Sequence, residues 1–228
     1  ISGGQFIAMM GHNGAGKSTL LHHICGLLAT QQGEVRIAGQ IIRGLERRVG
    51  MVMQNPDLML FNSSVREEVT FGLRQAGKEK FMPDWERLLQ KIGLAGMEER
   101  FPLALSQGQR VRVAIASLLV CKPDLLLLDE PTTGQDLAHI DDIMELLQEY
   151  VADGGSVILC THDTEVAVRY AARVLVMTDG KIVADGPPRI VFGRDEVLRQ
   201  AGLRVPMAFH VSNELYGGCA LSVEEVVR

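Results

Sequence analysis

The feature that most constrains this chain is a glycine-rich loop between an apolar run and a stretch with helical spacing. Residues 11–19 read Gly-His-Asn-Gly-Ala-Gly-Lys-Ser-Thr and fit the pattern G-x-x-x-x-G-K-[ST]. Such a loop needs a buried strand before it and a helix after it. Gln5–Met10 is apolar, and Ser18–Leu28 repeats its apolar residues with the period of a helix. The pattern therefore predicts a phosphate-binding loop in an α/β fold.

Each part of this loop has a physical role. Glycines let the backbone curl, so that successive N–H groups point at phosphate oxygens, and the following helix adds the positive end of its dipole. Lys17 would place a cation on the β- and γ-phosphates, and the Ser18 hydroxyl would bind Mg²⁺. We therefore expect nucleotide phosphates to be held by Asn13, Gly14, Ala15, Gly16, Lys17, Ser18 and Thr19.

A pair of acidic residues follows a second apolar run. Leu125–Leu128 has four consecutive leucines and ends at Asp129 and Glu130. In open α/β sheets, ligands bind beyond the carboxyl ends of the strands. Asp129 would hold Mg²⁺, directly or through water, and Glu130 could act as the general base that polarises an attacking water. A strand end with two acids is often just solvated, so this interpretation depends on the phosphate loop in the same chain.

The order of apolar runs predicts strands alternating with helices, which is typical of a mostly parallel sheet. Hydrophobic residues make up 46% and aromatic residues 5% of the chain, as suits parallel strands buried on both faces. Asp179-Gly180 predicts a hairpin turn. Besides Gln5–Met10, the expected strands are Glu34–Ala38, Val49–Met53, Leu125–Leu128, Ser156–Cys160, Arg173–Met177 and Lys181–Ala184. Besides Ser18–Leu28, the expected helices are Val65–Leu73, Asp84–Ile92, Val111–Cys121, Asp141–Tyr150 and Glu165–Ala172.

The length of 228 residues suits a single α/β domain. A helix-rich segment at about 61–121 interrupts the alternation, and we interpret it as a helical subdomain inserted between core segments 1–60 and 122–190. Residues 191–228 are expected to form a helical C-terminal tail. Because the chain begins at Ile1, with room for one short strand before the loop, we expect a fragment of a longer protein.

Composition excludes several other functions. The formal net charge is −5, from 23 basic and 28 acidic residues, and no long Lys/Arg run is present, so no nucleic-acid partner is expected. The four cysteines form no CxxC pair, which argues against a zinc site. No apolar run reaches the roughly 18 residues of a membrane span, and we expect no signal peptide. A role at a membrane would therefore require partner subunits.

Further motifs narrow the class of protein. Leu105-Ser106-Gln107-Gly108-Gln109 resembles the LSGGQ signature of ABC ATPases, and Pro131–Asp136 resembles their D-loop. Thr161-His162-Asp163 resembles the segment of the switch histidine, and Gln54 resembles the Q-loop glutamine. These motifs occur in the family's order. Over residues 3 to about 190 the chain therefore resembles the ABC-type P-loop NTPases, and their fold is the one we expect.

The resemblance implies a shared active site between two such domains arranged head to tail. Each ATP would lie between the phosphate loop of one domain and Ser106, Gly108 and Gln109 of the other, with Asp136 also among the binding residues. Mg²⁺ would be held by Ser18, Gln54 and Asp129. The catalytic residues would be Glu130, which activates water, His162, which contacts the γ-phosphate, and Gln54.

The sequence departs from the family pattern at two places. Gln107 stands where the signature has glycine, and the larger side chain either tunes the geometry or marks an asymmetric partner. The aromatic residue that stacks on adenine, and the antiparallel β subdomain that carries it, have no counterpart before the phosphate loop. We therefore expect that the N-terminal β subdomain is truncated.

Finer resemblance points to one kind of transporter. Gln54–Phe61, Val65–Gly72 and Leu198–Pro206 resemble the ATPase subunits of energy-coupling factor importers, which take up vitamins or transition-metal ions. The implied partners are a second ABC ATPase subunit, identical or paralogous, a transmembrane coupling subunit that contacts Gln54–Phe61, and a membrane subunit that captures the substrate. The implied location is peripheral, on the cytoplasmic side of the cell membrane.

Two other functions remain open at this point. One is a non-transport ABC ATPase that acts in DNA repair, chromosome organisation or translation, although the chain has no long coiled-coil insertion. The other is a module that dimerises on ATP without hydrolysing it, although Glu130 and His162 argue against that. A small-molecule kinase would have no use for the signature or for the switch histidine.

Overall fold

The structure is a computed structural model that describes residues 1–75 and 83–216. Eight strands are present in that part of the chain. Their bounds are β1 Phe6–Met10, β2 Arg36–Ile37, β3 Gln40–Ile41, β4 Val49–Val52, β5 Leu125–Asp129, β6 Ser156–Cys160, β7 Arg173–Thr178 and β8 Lys181–Gly186.

Nine helices accompany these strands in the described part of the chain. Their bounds are α1 Lys17–Ile24, α2 Val65–Gln75, α3 Pro83–Lys91, α4 Gln107–Leu119, α5 Leu137–Ala152, α6 Thr164–Tyr170, α7 Pro188–Phe192, α8 Asp195–Gln200 and α9 Met207–Tyr216. Short 3₁₀ turns also lie at Pro56–Leu58 and Pro102–Ala104 in the same described residues. Within residues 1–75 and 83–216, no helix combines the length and apolar character needed to cross a membrane.

Six strands form one sheet in the order β4-β5-β6-β1-β7-β8, and all neighbours pair in parallel except β7 and β8. Side chains alternate between its two faces. Ile7 and Met9 pack on one face with Leu21 of α1, whereas Ala8 and Met10 join the larger core on the other face. Both faces are buried, which explains the continuous apolar runs and confirms the predicted α/β fold.

Helices α2, α3 and α4 lie between β4 and β5 in the chain, and α4 packs against both α2 and β4. One apolar core runs from Val69 of α2 through Ile115 of α4 to Leu126 and Leu128 of β5. The division into segments 1–60, 61–121, 122–190 and 191–228 stays a prediction. Residues 76–82 and 217–228, including Cys219, lie outside the described residues.

The first helix is shorter than expected. It ends at Ile24, not at Leu28, because Gly26 adopts a left-handed conformation with φ +80° and its N–H donates to the carbonyl of His23. Glycine just beyond a helix commonly ends it in this way. A β-carbon at Gly26 would lie 1.8 Å from the carbonyl oxygen of Gly44, so the neighbouring backbone also requires glycine here.

Helices α4 and α5 begin earlier than expected, at Gln107 and Leu137, where the apolar pattern placed their starts at Val111 and Asp141. Both starts are set by caps. The Ser106 hydroxyl accepts from the N–H of Gln109, and the Asp136 carboxylate accepts from that of His139. Serine and aspartate satisfy the unpaired N–H groups of a first turn, so a helix can start before its apolar stripe does.

The structure corrects one predicted strand and confirms one predicted hairpin turn. The predicted strand Glu34–Ala38 is wrong in extent: only Arg36–Ile37 is a strand, and it pairs with β3 outside the main sheet. The chain reverses because Ala38 and Gly39 both have positive φ. The predicted turn at Asp179-Gly180 is confirmed, because both residues have positive φ and connect β7 to the antiparallel β8.

Gly26 and Gly33 offer a matched test of the close packing between Gly26 and Gly44. Gly26 and Gly33 both have φ +80°, but a β-carbon at Gly33 would meet nothing within 4 Å. Gly33→Ala should therefore lose about 1 kcal/mol of unfolding free energy, from the left-handed backbone alone. Gly26→Ala should lose about 3 kcal/mol or more, because the collision with Gly44 adds to the same strain. Urea unfolding measures both values, and equal losses would contradict the packing account.

Candidate functional site

Strand pairing brings the polar motifs to one edge of the sheet. Strands β4, β5, β6 and β1 are parallel neighbours, so their carboxyl ends meet there. Met9 of β1 and Asp129 of β5 both pair with Cys160 of β6. The phosphate loop therefore starts at the same level of the sheet as the acidic pair.

A cavity of about 350 Å³ opens at this edge. This volume lies within the range of small-molecule sites. Three separate motifs meet on its wall: the phosphate loop, the residue predicted as the Q-loop glutamine and the acidic pair. The lining residues are Asn13, Gly14, Gly16, Lys17, Ser18, Thr19, Gln54, Asp129 and Glu130.

The loop is shaped to receive an anion. Gly14 and Gly16 have φ of +85° and +98°, in the left-handed region that favours glycine. Gly16 is the N-cap of α1 and has no side chain to cap it, so first-turn N–H groups remain available to a ligand. The buried Lys17 donates from Nζ to the carbonyls of Gly11 at 2.8 Å and His12 at 3.2 Å. An ammonium has three N–H donors, which leaves one for a phosphate.

Ala15 has a different place from its neighbours in the loop. It is fully buried and packs with Leu21 and Met177 in the core on the α1 side, and it is not among the residues that line the cavity. Its N–H donates to the carbonyl of His12, and its carbonyl accepts from the N–H of Gly180 in the β7–β8 turn. Ala15 therefore shapes the loop and anchors it to the edge hairpin.

Glu130 is held in an unusual backbone conformation. Its φ is +52°, a region rare for residues other than glycine and characteristic of strained functional sites. Its N–H donates 3.0 Å to the carbonyl of Cys160, and its own carbonyl accepts from the N–H of Thr133. The acidic pair is buried, with 5% of Asp129 and 8% of Glu130 exposed. Nothing in the residue types predicts this conformation.

His162 meets the Glu130 carboxylate. Its Nδ1 lies 2.8 Å from Oε2 of Glu130, and 70% of the histidine side chain is exposed compared with 9% of the glutamate side chain. The histidine lies two residues after the end of β6, and Asp163 caps the next helix, α6. This placement joins two residues that the sequence predicted separately.

The cavity also offers oxygen donors that suit a magnesium ion. The Ser18 hydroxyl, the Gln54 amide and the Asp129 carboxylate belong to residues on its wall, and Mg²⁺ prefers such oxygen ligands. The neighbouring Cys160 is buried, and burial, together with the charge of Asp129, raises the pKa of its thiol. Cys160 is not among the residues that line the cavity.

Besides Ala15, four predicted ATP-binding residues are not among those that line the cavity: Ser106, Gly108, Gln109 and Asp136. Ser106 and Gln109 form a reciprocal cap, because the Gln109 side-chain oxygen also accepts from the N–H of Ser106 at 3.0 Å. Asp136 accepts from the backbone N–H and the ring of His139, and these bonds lower the pKa of its carboxyl. Within one chain, the side chains of Ser106, Gln109 and Asp136 form helix caps. Ser106 and Asp136 are exposed.

Gln107, which departs from the signature pattern, lies close to the D-loop segment of the same chain. A β-carbon at Gly134 would lie 3.5 Å from Oε1 of Gln107. Gln135 Nε2 donates 3.1 Å to the carbonyl of Gly108, so the D-loop segment and the signature segment are joined by a hydrogen bond. Gln135 lies within the predicted D-loop segment Pro131–Asp136 but was not itself predicted as a site residue.

The comparisons with known proteins agree with this geometry. Residues 1–133 match the family model described as ABC transporter. Two putative ABC transporter ATP-binding proteins of Methanosarcina acetivorans are 44% and 41% identical over 94% and 99% of this chain. The chain spans only 36% and 35% of their lengths. The energy-coupling factor transporter ATP-binding protein EcfA of Methanothermobacter thermautotrophicus is 39% identical over 93% of this chain and 71% of its own length.

Solved structures add to this result. CbiO1 of Clostridium perfringens, part of the ABC transporter complex cbiONQ, aligns with TM-score 0.74 and 34% identity over 93% of this chain and 89% of its own. A dimeric post-hydrolysis state of the ATP-binding cassette MJ0796, bound to ADP and Pi, aligns with TM-score 0.73 and 29% identity over 82% and 87%. The chain therefore belongs to the ABC transporter family, whose ATP-binding domains hydrolyse ATP.

Proposed function

We propose that this chain is the ATP-hydrolysing domain of a membrane importer of the energy-coupling factor type, for a vitamin or a transition-metal ion. The main support for the proposal is a single cavity lined by the phosphate loop, Gln54, Asp129 and Glu130. His162 forms a hydrogen-bond contact with Glu130 beside it. The similarity to EcfA and to a subunit of the cbiONQ complex supports the importer class.

ATP would bind with its phosphates in the loop. The uncapped first turn of α1 and the Lys17 ammonium supply positive charge from fixed positions, which requires no reorganisation when the anion enters. Asn13 and Thr19 line the same wall and complete the polar surround.

Magnesium would be held by Ser18, Gln54 and Asp129 and would neutralise charge on the β- and γ-phosphates. The Glu130 carboxylate accepts a proton from the attacking water, whose oxygen bonds to the γ-phosphorus while the bond to the bridging oxygen breaks. The products are ADP and phosphate. His162 would orient Glu130 through the 2.8 Å contact, and its exposed ring would contact the γ-phosphate. The presence of a carboxylate base paired with a histidine argues against a module that binds ATP without hydrolysing it.

The second half of each site would come from another ABC domain. Ser106, Gly108, Gln109 and Asp136 lie outside the cavity, although the resemblance assigns all four to ATP. A head-to-tail dimer places them over the partner's phosphate loop, where the first turn of α4 would meet the γ-phosphate. Closure on ATP and reopening after hydrolysis would then provide the mechanical cycle. In this proposal segments 1–60 and 122–190 form the core, 61–121 the helical subdomain and 191–228 the tail.

The segment Gln54–Phe61 would contact the transmembrane subunit. Leu58 is 73% and Phe61 67% exposed. The buried Glu68 carboxylate accepts from the N–H groups of Phe61 and Asn62 at 2.8 Å each, which fixes the end of this segment. Phe61 also packs edge-on against Phe71, with ring centroids 5.0 Å apart. Two exposed apolar side chains are thus presented from an anchored loop, on the cytoplasmic face of the membrane.

Glu130→Gln tests the assignment of the base. The amide keeps the size of the side chain but cannot take a proton, so steady-state ATP hydrolysis should fall by about 10²-fold to 10³-fold. ATP affinity should stay near that of the parent chain, because the phosphate loop is unchanged. Glu86→Gln on α3, at an exposed position, is the matched control and should retain parent activity. Near-parent turnover in Glu130→Gln would remove Glu130 from the mechanism.

Affinity purification tests the importer proposal. The full-length protein is tagged in its native cell, the membranes are gently solubilised, and the proteins that co-purify are identified by mass spectrometry. We expect integral membrane subunits, and we expect Leu58→Ser with Phe61→Ser to reduce their recovery. Leu45→Ser is the control, since Leu45 is 76% exposed on a different loop. Recovery of soluble proteins or nucleic acid alone would instead favour a non-transport ABC ATPase.

A further inference from the structure

The segment Leu198–Pro206, which resembles the C-terminal region of energy-coupling factor ATPases, has no part in the hydrolysis proposed above. In the structure it runs from α8 to the start of α9. Leu198 and Leu203 are buried in the same apolar core as Val166 of α6, the helix that begins two residues after His162. The segment is therefore fixed to the core that also supports the helix after the switch histidine.

One part of this segment lies against the phosphate loop. Gly202 has φ +65°, and a β-carbon there would lie 3.5 Å from Cβ of His12. The N–H of Gly202 donates to the carbonyl of Arg199, so the turn that ends α8 is closed by its own hydrogen bond. The carbonyl of His12 also accepts from the Lys17 ammonium at 3.2 Å. The turn after α8 therefore packs beside the backbone that holds Lys17.

The far end of the segment is bonded to the first turn of α6. The N–H of Met207, the first residue of α9, donates 2.9 Å to Oε1 of Glu165. A carboxylate suits this place, because first-turn N–H groups lack partners within their own helix and carry the positive end of its dipole. Glu165 lies three residues after His162, and Asp163 caps the same turn by accepting from the N–H groups of Glu165 and Val166. The start of α9 is thus joined to the helix turn that follows the histidine.

His162 needs such support for its position. Its side chain is 70% exposed, and its ring meets the Glu130 carboxylate at 2.8 Å. A catalytic side chain keeps its geometry only when packing and hydrogen bonds around it hold it in place. Because little packs on the ring of His162, its position depends on the backbone that leads into α6.

We propose that residues 202–207, here called the C-terminal bridge, hold the first turn of α6 in a fixed place relative to the phosphate loop, with Glu165 as a positioning residue for His162. This proposal rests on the proposed ATPase function. Glu165 acts through α6, so its loss should change turnover and leave ATP binding nearly unchanged. The bridge gives the segment Leu198–Pro206 a physical role, which is to orient a catalytic residue of its own chain.

Steady-state kinetics of the full-length protein test the role of Glu165. Glu165→Leu keeps most of the side-chain volume but offers no acceptor to the N–H of Met207. We expect kcat to fall about fivefold to tenfold, with KM for ATP changed less than about twofold. Glu165→Gln retains an acceptor oxygen and should keep kcat within about twofold of the parent value. Glu196→Leu, at an exposed position in the first turn of α8, is the matched control and should behave as the parent chain.

A parent value of kcat in Glu165→Leu would overturn the proposal. An equal loss in Glu165→Gln would also overturn it, because the glutamine can still accept the bond from Met207. A parent chain without ATPase activity would instead contradict the proposed function.

Hydrogen exchange measures the connection without turnover. Glu165→Leu should speed exchange in residues 207–211 and in residues 161–167, and should leave residues 11–17 as in the parent chain. Faster exchange in residues 207–211 alone would show that α9 does not hold the first turn of α6. Faster exchange in all three segments would show a general loss of stability. Either result would overturn the proposal independently of catalysis.

Discussion

The parallel pairing of β4, β5, β6 and β1 is the constraint on which the rest of the site depends. Because these strands run in one direction, their carboxyl ends meet, and residues as distant in the chain as Gln54 and His162 reach one cavity or its rim. The pairing of Met9 and Asp129 with the same residue of β6 sets the level of the loop and the acid. A shift of register by one residue would turn Asp129 to the other face of the sheet.

At this edge of the sheet the backbone is strained at Glu130, the residue proposed as the general base. Glu130 keeps a left-handed conformation because the carbonyl of Cys160 and the N–H of Thr133 hold both sides of its peptide. Such strain, of about 1–3 kcal/mol, persists only where the surrounding fold compensates for it. The same loop continues to Gln135, whose side-chain amide donates 3.1 Å to the carbonyl of Gly108 in the first turn of α4. One hydrogen bond therefore joins the loop after Glu130 to the start of α4 within this chain.

Features of the fold and the site that depend on residue type and order are predictable from the sequence. The fold class, the phosphate loop and the strand before the acidic pair are motifs with a local physical cause, and the structure brings Lys17, Gln54 and Glu130 to one cavity. The starts of α4 and α5 are encoded by their capping residues, Ser106 and Asp136, which precede the apolar stripe of each helix. The left-handed Glu130 and the Gln135 contact were not readable, because both arise from tertiary surroundings that no local pattern encodes.

We propose that each chain supplies half of each ATP site and that ATP completes the site between two chains. The direct measurement is the mass in solution of the Glu130→Gln variant, by light scattering, with and without ATP and Mg²⁺. We expect the mass to double when ATP and Mg²⁺ are present, and we expect Ser106→Arg in the same variant to prevent the doubling while ATP still binds. A single chain that binds ATP fully and keeps its mass would contradict the claim.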